Sequence, residues 1–271
     1  KYDSFYLEMY KQITGRAMAR ECFVVMEPVD VESEKKHIMP KLVTENRVDG
    51  IIVMGRLSWG YLEFLNENCS LPMIYLDFCD NKKEADAVIS DSYYGAYRLT
   101  NYLFEMGHKR IGYLGTVLAT GSITDRYMGY LRAMMEHGCE VRPEWIIDDR
   151  EKEQGSIDAE SYIRLPKELP TAFVCNCDLA ASFLIKKLEA EGLKVPQDIS
   201  VVGYDNYIYP GMCDVEITTY EVDIKEMARR AVHTLIKKIS GEDYRHRVYI
   251  VEGQLVIKGS VKDIGNRVGK N

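Results

Sequence analysis

From about residue 49 to residue 203 the chain alternates short apolar runs with longer amphipathic stretches. That rhythm limits its fold more than any other feature. The apolar runs fall at 49–54, 72–76, 87–90, 110–115, 145–147, 172–175 and 199–203. Each is too short for a buried helix and shows no polar alternation, which is the pattern of strands covered on both faces. The stretches between them read as helices. One covers 58–68. Another opens at Asp91 or Ser92, carries Leu99, Leu103 and Met106 on one face, and stops at Gly107. A third runs from about Asp125 to His137, a fourth lies between 147 and 172, and a fifth is capped by Asp178 and ends at Gly192.

The flanks continue the pattern. Residues 3–20 read as a helix with Phe5, Met9, Ile13 and Ala17 in one stripe, 22–26 as a strand, and 31–46 as a helix. Asp223-Ile-Lys-Glu226 has the form of a capping box opening a helix that ends near Gly241. Short strands follow around Tyr249 and Leu255. Strand–helix alternation of this kind predicts an α/β protein with parallel, doubly wound sheets. A chain of 271 residues suits two such lobes with a ligand cleft between them. Ligands in these sheets sit at the carboxyl ends of the strands. The first element is a helix, whereas such a unit usually opens with a strand, so the opening strand is expected to lie outside this sequence.

Composition narrows the function. Hydrophobic residues make up 46% and charged residues 28%, as in a well-packed soluble protein. No apolar run approaches the ~20 residues of a membrane helix, and the first residues lack the apolar core of a signal peptide, so a cytoplasmic location is expected. The net charge of −7 argues against DNA binding by these residues themselves. The short basic clusters His108-Lys109-Arg110 and Arg245-His246-Arg247 read as solvated surface. The seven cysteines are scattered without a CxxC pair, so reduced, mostly buried thiols are expected and no metal site. No GxSxG, GxxxxGK[ST], HExxH or GxGxxG occurs, so the chain reads as a non-enzyme with no cofactor.

Several polar residues stand where strands end. Asp205 follows the run 199–203 and could accept hydrogen bonds from ligand hydroxyls, or simply make a turn. Arg126 follows a glycine-bearing loop and offers a planar fork of donors, or is a surface residue at a helix start. Asn176 follows 172–175 and can both donate and accept, or cap a helix. Asp77 and Trp59 follow strands of the first lobe; Trp59 would stack on a sugar face or belong to the core.

Six segments, in order, resemble one family. Asp91-Ser-Tyr-Tyr-Gly-Ala-Tyr-Arg98 with Gly107-His-Lys-Arg-Ile-Gly-Tyr-Leu-Gly115 is similar to a helix-to-strand passage of LacI/GalR transcription regulators. Asp125-Arg-Tyr-Met-Gly-Tyr-Leu-Arg-Ala133, Pro170-Thr-Ala-Phe-Val-Cys-Asn176, Ile217-Thr-Thr-Tyr220 and Leu255-Val-Ile-Lys-Gly-Ser260 resemble further family segments. Val195-Pro-Gln-Asp-Ile-Ser-Val-Val-Gly-Tyr-Asp-Asn206 is the most specific.

The resemblance implies a type I periplasmic-binding-protein-like fold. Its N-terminal lobe would hold 1–90 and 222–252, its C-terminal lobe 91–221 and 253–271, with crossovers near Ser90, Glu221 and Gly253. It implies a homodimer that holds a small effector, a sugar or related metabolite, and that meets operator DNA through a helix-turn-helix domain absent from this chain. The expected ligand-binding residues are Arg126, Asp205 and Asn176, with Asp77, Ile89 and Trp59. The family commonly places Asp directly after that Asn, where this chain has Cys177. A solute-binding protein of a sugar uptake transporter shares the fold and is the alternative reading.

Overall fold

The computed structural model describes residues 4–79, 86–152, 156–208 and 211–265. Residues 1–3 and 266–271, included in the expected first helix and lobes, lie outside them. The chain divides into two compact units, Lys1–Ile89 with Asp223–Val251, and Ser90–Val222 with Glu252–Asn271. Each unit is built on a largely parallel sheet, its elements numbered here along the chain.

The first unit holds α1 (Ser4–Met18), α2 (Val31–Lys35), α3 (Lys41–Thr44), β1 (Ile51–Met54), α4 (Trp59–Asn68), β2 (Met73–Leu76), β3 (Ala87–Ser90), α9 (Ile224–Ser240) and β9 (Val248–Val251). The sheet order is β1-β2-β3-β9, with β1, β2 and β3 parallel. Phe5, Met9, Ile13 and Ala17 of α1 are all buried, as a 3.6-residue stripe requires. Helix α9 buries Ile224, Met227, Ala228, Ala231, Val232 and Leu235. The Asp223 carboxylate accepts the Glu226 amide at its start, and Gly241, at φ 68°, stops it in the left-handed region.

Two expectations fail here. Residues 22–26 form no strand: Phe23 is 93% exposed, Val25 63%, and the Cys22 amide turns back to the Ala17 carbonyl. An apolar run becomes a strand only where a neighbouring strand completes its hydrogen bonds, and none of the described strands does. The helix expected over 31–46 is instead two short pieces. Pro40 forces its predecessor toward extended backbone, and His37 takes φ 52°. The Glu27 carboxylate then caps α3, accepting the amides of Lys41 and Leu42 at 2.8 and 2.9 Å.

The second unit holds α5 (Ser92–Glu105), β4 (Ile111–Leu114), α6 (Gly121–Glu136), a 3-10 turn (Pro143–Trp145), β5 (Ile146–Ile147), α7 (Ala159–Tyr162), β6 (Ala172–Cys175), α8 (Asp178–Ala190), β7 (Ser200–Val202), β8 (Thr219–Glu221) and β10 (Gln254–Val256). Its main sheet runs β5-β4-β6-β7, all parallel, so four carboxyl ends stand side by side. Strands β8 and β10 form an antiparallel pair. The core joins Leu114, Phe173, Cys175 and Val201 of the sheet to Ala181, Leu184, Ile185 and Leu188 of α8. Ser260 ties the late segment in: its hydroxyl accepts the Thr218 amide at 2.8 Å and donates to the Val201 carbonyl at 2.5 Å.

Local details again depart from expectation. Helix α6 starts at Gly121, because the Thr120 hydroxyl caps it by accepting the Ile123 amide. Cys177, not Asp178, is the cap of α8; its sulfur accepts the Ala180 amide at 3.4 Å. His108 is not surface: it is 2% exposed and bonds Thr171 Oγ1 and the Lys262 carbonyl. Among the cysteines only Cys175 is buried; Cys79 is exposed and the other five are half-buried.

Helices α5 and α6 meet at Gly129. A Cβ there would lie 2.1 Å from the Tyr93 carbonyl oxygen, which is backbone and cannot swing away. Gly129→Ala is therefore expected to destabilise the chain by about 3 kcal/mol, read as a melting temperature lower by several degrees. An unchanged melting temperature would show that the helices separate without cost.

Candidate functional site

The carboxyl ends of the second unit's sheet carry the polar residues. Strand β4 is followed by Thr116, β5 by Asp149 and Arg150, β6 by Asn176, and β7 by Tyr204 and Asp205. Arg126 reaches the same place from α6, one turn before Gly129, whose missing side chain lets the helix lie close to α5. Arg126 and Asn176 are 6% and 1% exposed.

Arg126 is held on every side. Its Nη2 lies 3.3 Å from Asp205 Oδ1, Nη1 donates to the Asn176 carbonyl at 2.5 Å, and Nε donates to Ser92 Oγ at 3.3 Å. The guanidinium carbon sits 3.7 Å from the centre of the Tyr204 ring, a cation–π contact strengthened by burial. Asp205 and Asn206 take φ 99° and 54°, backbone that Asp and Asn tolerate better than most residues. The strained turn is held by the bond from the Asp205 amide to the Tyr220 carbonyl, 2.9 Å, and by Lys258 Nζ donating to Asn206 Oδ1, 2.6 Å.

A second network stands beside it. Arg150 grips Asp149 with two donors, Nε to Oδ1 at 3.1 Å and Nη2 to Oδ2 at 2.7 Å. Asn176 Nδ2 donates to the same Asp149 Oδ2 at 2.8 Å and to the Leu114 carbonyl at 3.1 Å. The Thr116 amide donates to Asp149 Oδ1, and the Thr116 hydroxyl accepts the amides of Asp149 and Arg150 while donating to the Arg150 carbonyl. Burial pushes the Asp149 carboxyl up, but Arg150, Asn176 and the Thr116 amide outweigh it and hold the group below its usual value. Asp178 shows the opposite balance. Burial raises its carboxyl to about 7, against the pull of Thr219, Lys258 and the Tyr207 amide.

The structure thus gathers Arg126, Asn176 and Asp205 at one point. Asp77, Ile89 and Trp59 belong to the first unit. Asp77 follows β2 at φ 70° and accepts the Tyr6 hydroxyl at 2.9 Å. Ile89 is a half-buried residue of β3. Trp59 opens α4 and is 51% exposed, so it is not core. Asp149, Arg150, Thr116 and Ser92 went unread in the sequence. The rule that picked out Asn176, a polar residue directly after a strand, would have named Asp148 after β5; Asp149 and Arg150 stand one and two positions further on.

Among the described residues no group of His, Cys, Asp and Glu could hold a metal ion, and no helix is long and apolar enough to cross a membrane. The arrangement presents fixed donors and acceptors to a ligand.

Residues 100–261 match the model of the periplasmic binding protein-like domain, a class of ligand-binding domain. The chain is also 32% identical over 234 residues to the HTH-type transcriptional repressor PurR of Pasteurella multocida, covering 86% of this chain and 70% of that repressor. It belongs to the LacI/GalR family of transcription regulators and carries that family's ligand-binding domain. Solved structures share the fold. A transcriptional regulator from Bacillus cereus subsp. cytotoxis superposes with a TM-score of 0.82 at 23% identity, over 96% of this chain and 93% of that one. A regulator from Alkaliphilus metalliredigens, complexed with D-xylulofuranose, gives 0.76 at 20% identity, over 96% and 95%.

Two predictions follow from the buried charges. Arg126→Ala leaves the Asp205 carboxylate buried without its cation, and is expected to cost about 3 kcal/mol in denaturant unfolding; a variant as stable as the parent would mean the pair is solvated. Asp178 holds its proton more tightly folded, near 7, than at the ordinary 3.8. It therefore stabilises the fold fully below about pH 4, and that contribution is lost as pH rises to about 7. The stability difference between the parent and Asp178→Asn should change across that range; a constant difference would place the carboxyl at its ordinary value.

Proposed function

We propose that this chain is the effector-binding and dimerisation region of its regulator. It takes up a sugar or related metabolite at Arg126, Asn176 and Asp205, and uptake alters operator binding by the homodimer through a helix-turn-helix domain. The observation that carries the reading is the pair of buried Arg126 and half-buried Asp205 at the carboxyl ends of β6 and β7. Its donors and acceptors are fixed before any ligand arrives, so little ordering entropy is lost on binding. A hydroxyl-bearing ligand matches both partners, since each hydroxyl donates and accepts.

Two comparisons support the reading. The PurR relative is a repressor, which favours the regulator over an uptake protein. The Alkaliphilus regulator of the same fold holds a sugar. Asp77, Ile89 and Trp59 stand as candidate effector contacts of the first unit. The effector acts on DNA binding only to the extent that it binds two states of the protein differently.

A thermal-shift screen of sugars tests this. A ligand at ~100 times its dissociation constant adds about 2.7 kcal/mol, enough to raise the melting temperature by a few degrees. The shift is expected to vanish in Arg126→Lys, which keeps the charge and loses the fork, and in Asp205→Asn. A shift that survives both would place the effector elsewhere. Light scattering should find a dimer; a stable monomer would remove the dimerisation role.

A further inference from the structure

Both arginines of the second unit's cluster are already spent on the protein's own acceptors. A guanidinium grips a phosphate or carboxylate through two parallel N–H donors, and its side edge for this is Nε–Nη2. In Arg150 that edge is filled by the two oxygens of Asp149, at 3.1 and 2.7 Å. In Arg126 the three nitrogens point to three different acceptors, Ser92 Oγ, the Asn176 carbonyl and Asp205 Oδ1. Neither offers its side edge to an anion.

The charges around them reinforce this. Asp205 and Asp149 give each guanidinium, Arg126 and Arg150, one carboxylate of its own, and Lys258 Nζ is engaged by Asn206. Asp149 is 0% exposed, where water screens its charge little. An arriving anion would meet these carboxylates before it could recruit a guanidinium. A hydroxyl meets no such penalty, because it can donate to Asp205, whose side chain is the more exposed of the two carboxylates.

Building on the effector reading above, we infer that the Asp149–Arg150 and Arg126–Asp205 pairs act together as a charge filter, so that the effector is an uncharged, hydroxyl-rich molecule and its phosphorylated or carboxylate forms are excluded. Arg150 and Asp149 are then specificity-determining residues. They set which ligand charge is admitted, while Arg126, Asn176 and Asp205 hold the ligand.

The test uses the whole chain, with inorganic phosphate as the anion probe and matched pairs, glucose with glucose 6-phosphate and ribose with ribose 5-phosphate. Millimolar phosphate should leave the melting temperature of the parent unchanged. Asp149→Asn frees the Arg150 fork, and Asp205→Asn removes the carboxylate from Arg126. At least one of these should gain a phosphate-dependent rise. In any pair that binds, the phosphorylated sugar should be weaker by about tenfold or more, roughly 1.4 kcal/mol. The inference is overturned if phosphate or a sugar phosphate stabilises the parent and that effect disappears in Arg126→Lys or Arg150→Lys. It is equally overturned if both Asp variants fold and neither responds to phosphate. Failure of the effector reading looks different: a neutral sugar would stabilise the parent, Asp205→Asn and Arg126→Lys alike, whatever phosphate does.

Discussion

A buried guanidinium must be paid for, and the second unit is organised around doing so. Arg126 gives up its water shell for Asp205, the Asn176 carbonyl, the Ser92 hydroxyl and the face of Tyr204. Those partners come from the ends of β6 and β7 and the start of α5, so one side chain registers three elements against each other. Removing either charge of such a pair costs more than the pair itself contributes, because the survivor is left in a medium that cannot solvate it. The same arithmetic accounts for the strained turn at Asp205 and Asn206. Backbone at φ 99° persists only where surrounding bonds over-determine it, and here the Tyr220 carbonyl, Lys258 and Arg126 do so.

Close approach is the second constraint. Arg126 reaches the sheet because α6 lies on α5 at a point where no side chain intervenes, over Gly129. Gly203 performs a like service at the end of β7, where a Cβ would lie 2.0 Å from Asp178 Oδ1. The polar site is thus built by the absence of side chains at two positions as much as by their presence elsewhere. The Asp149–Arg150–Asn176–Thr116 network completes it. Each buried member has its partner, which is the condition for a polar network to rigidify rather than weaken a fold.

Fold and family were legible because they rest on local, repeated signals. The apolar runs of β4, β6 and β7 needed no alternation to be recognised, since strands with helices on both faces lack it. The stripes of α1 and α9, the Asp223 cap and the Gly241 stop follow from 3.6-residue periodicity and from a single left-handed residue. Residues 22–26 misled for the complementary reason. Their apolar composition is strand-like, but a strand is a property of a pair, and composition says nothing about the partner. Pro40 and Cys177 show a smaller version: each overrode a neighbour's local preference, one by sterics and one by accepting an amide.

By itself the sequence determined the α/β architecture and the family, and it named Arg126, Asn176 and Asp205 as candidates that the fold brings together, because strand ends and motif spacing are written along the chain. Only the tertiary structure decided that Arg126 is paired with Asp205 and stacked on Tyr204, that Asp149 and Arg150 belong to the same cluster, and that His108 is core rather than surface. Those facts depend on which groups lose their water together. Desolvation is a property of the folded neighbourhood, set by residues as far apart in the chain as Arg150 and Asn176, 26 positions, and His108 and Lys262, 154 positions, and no spacing along the sequence encodes it.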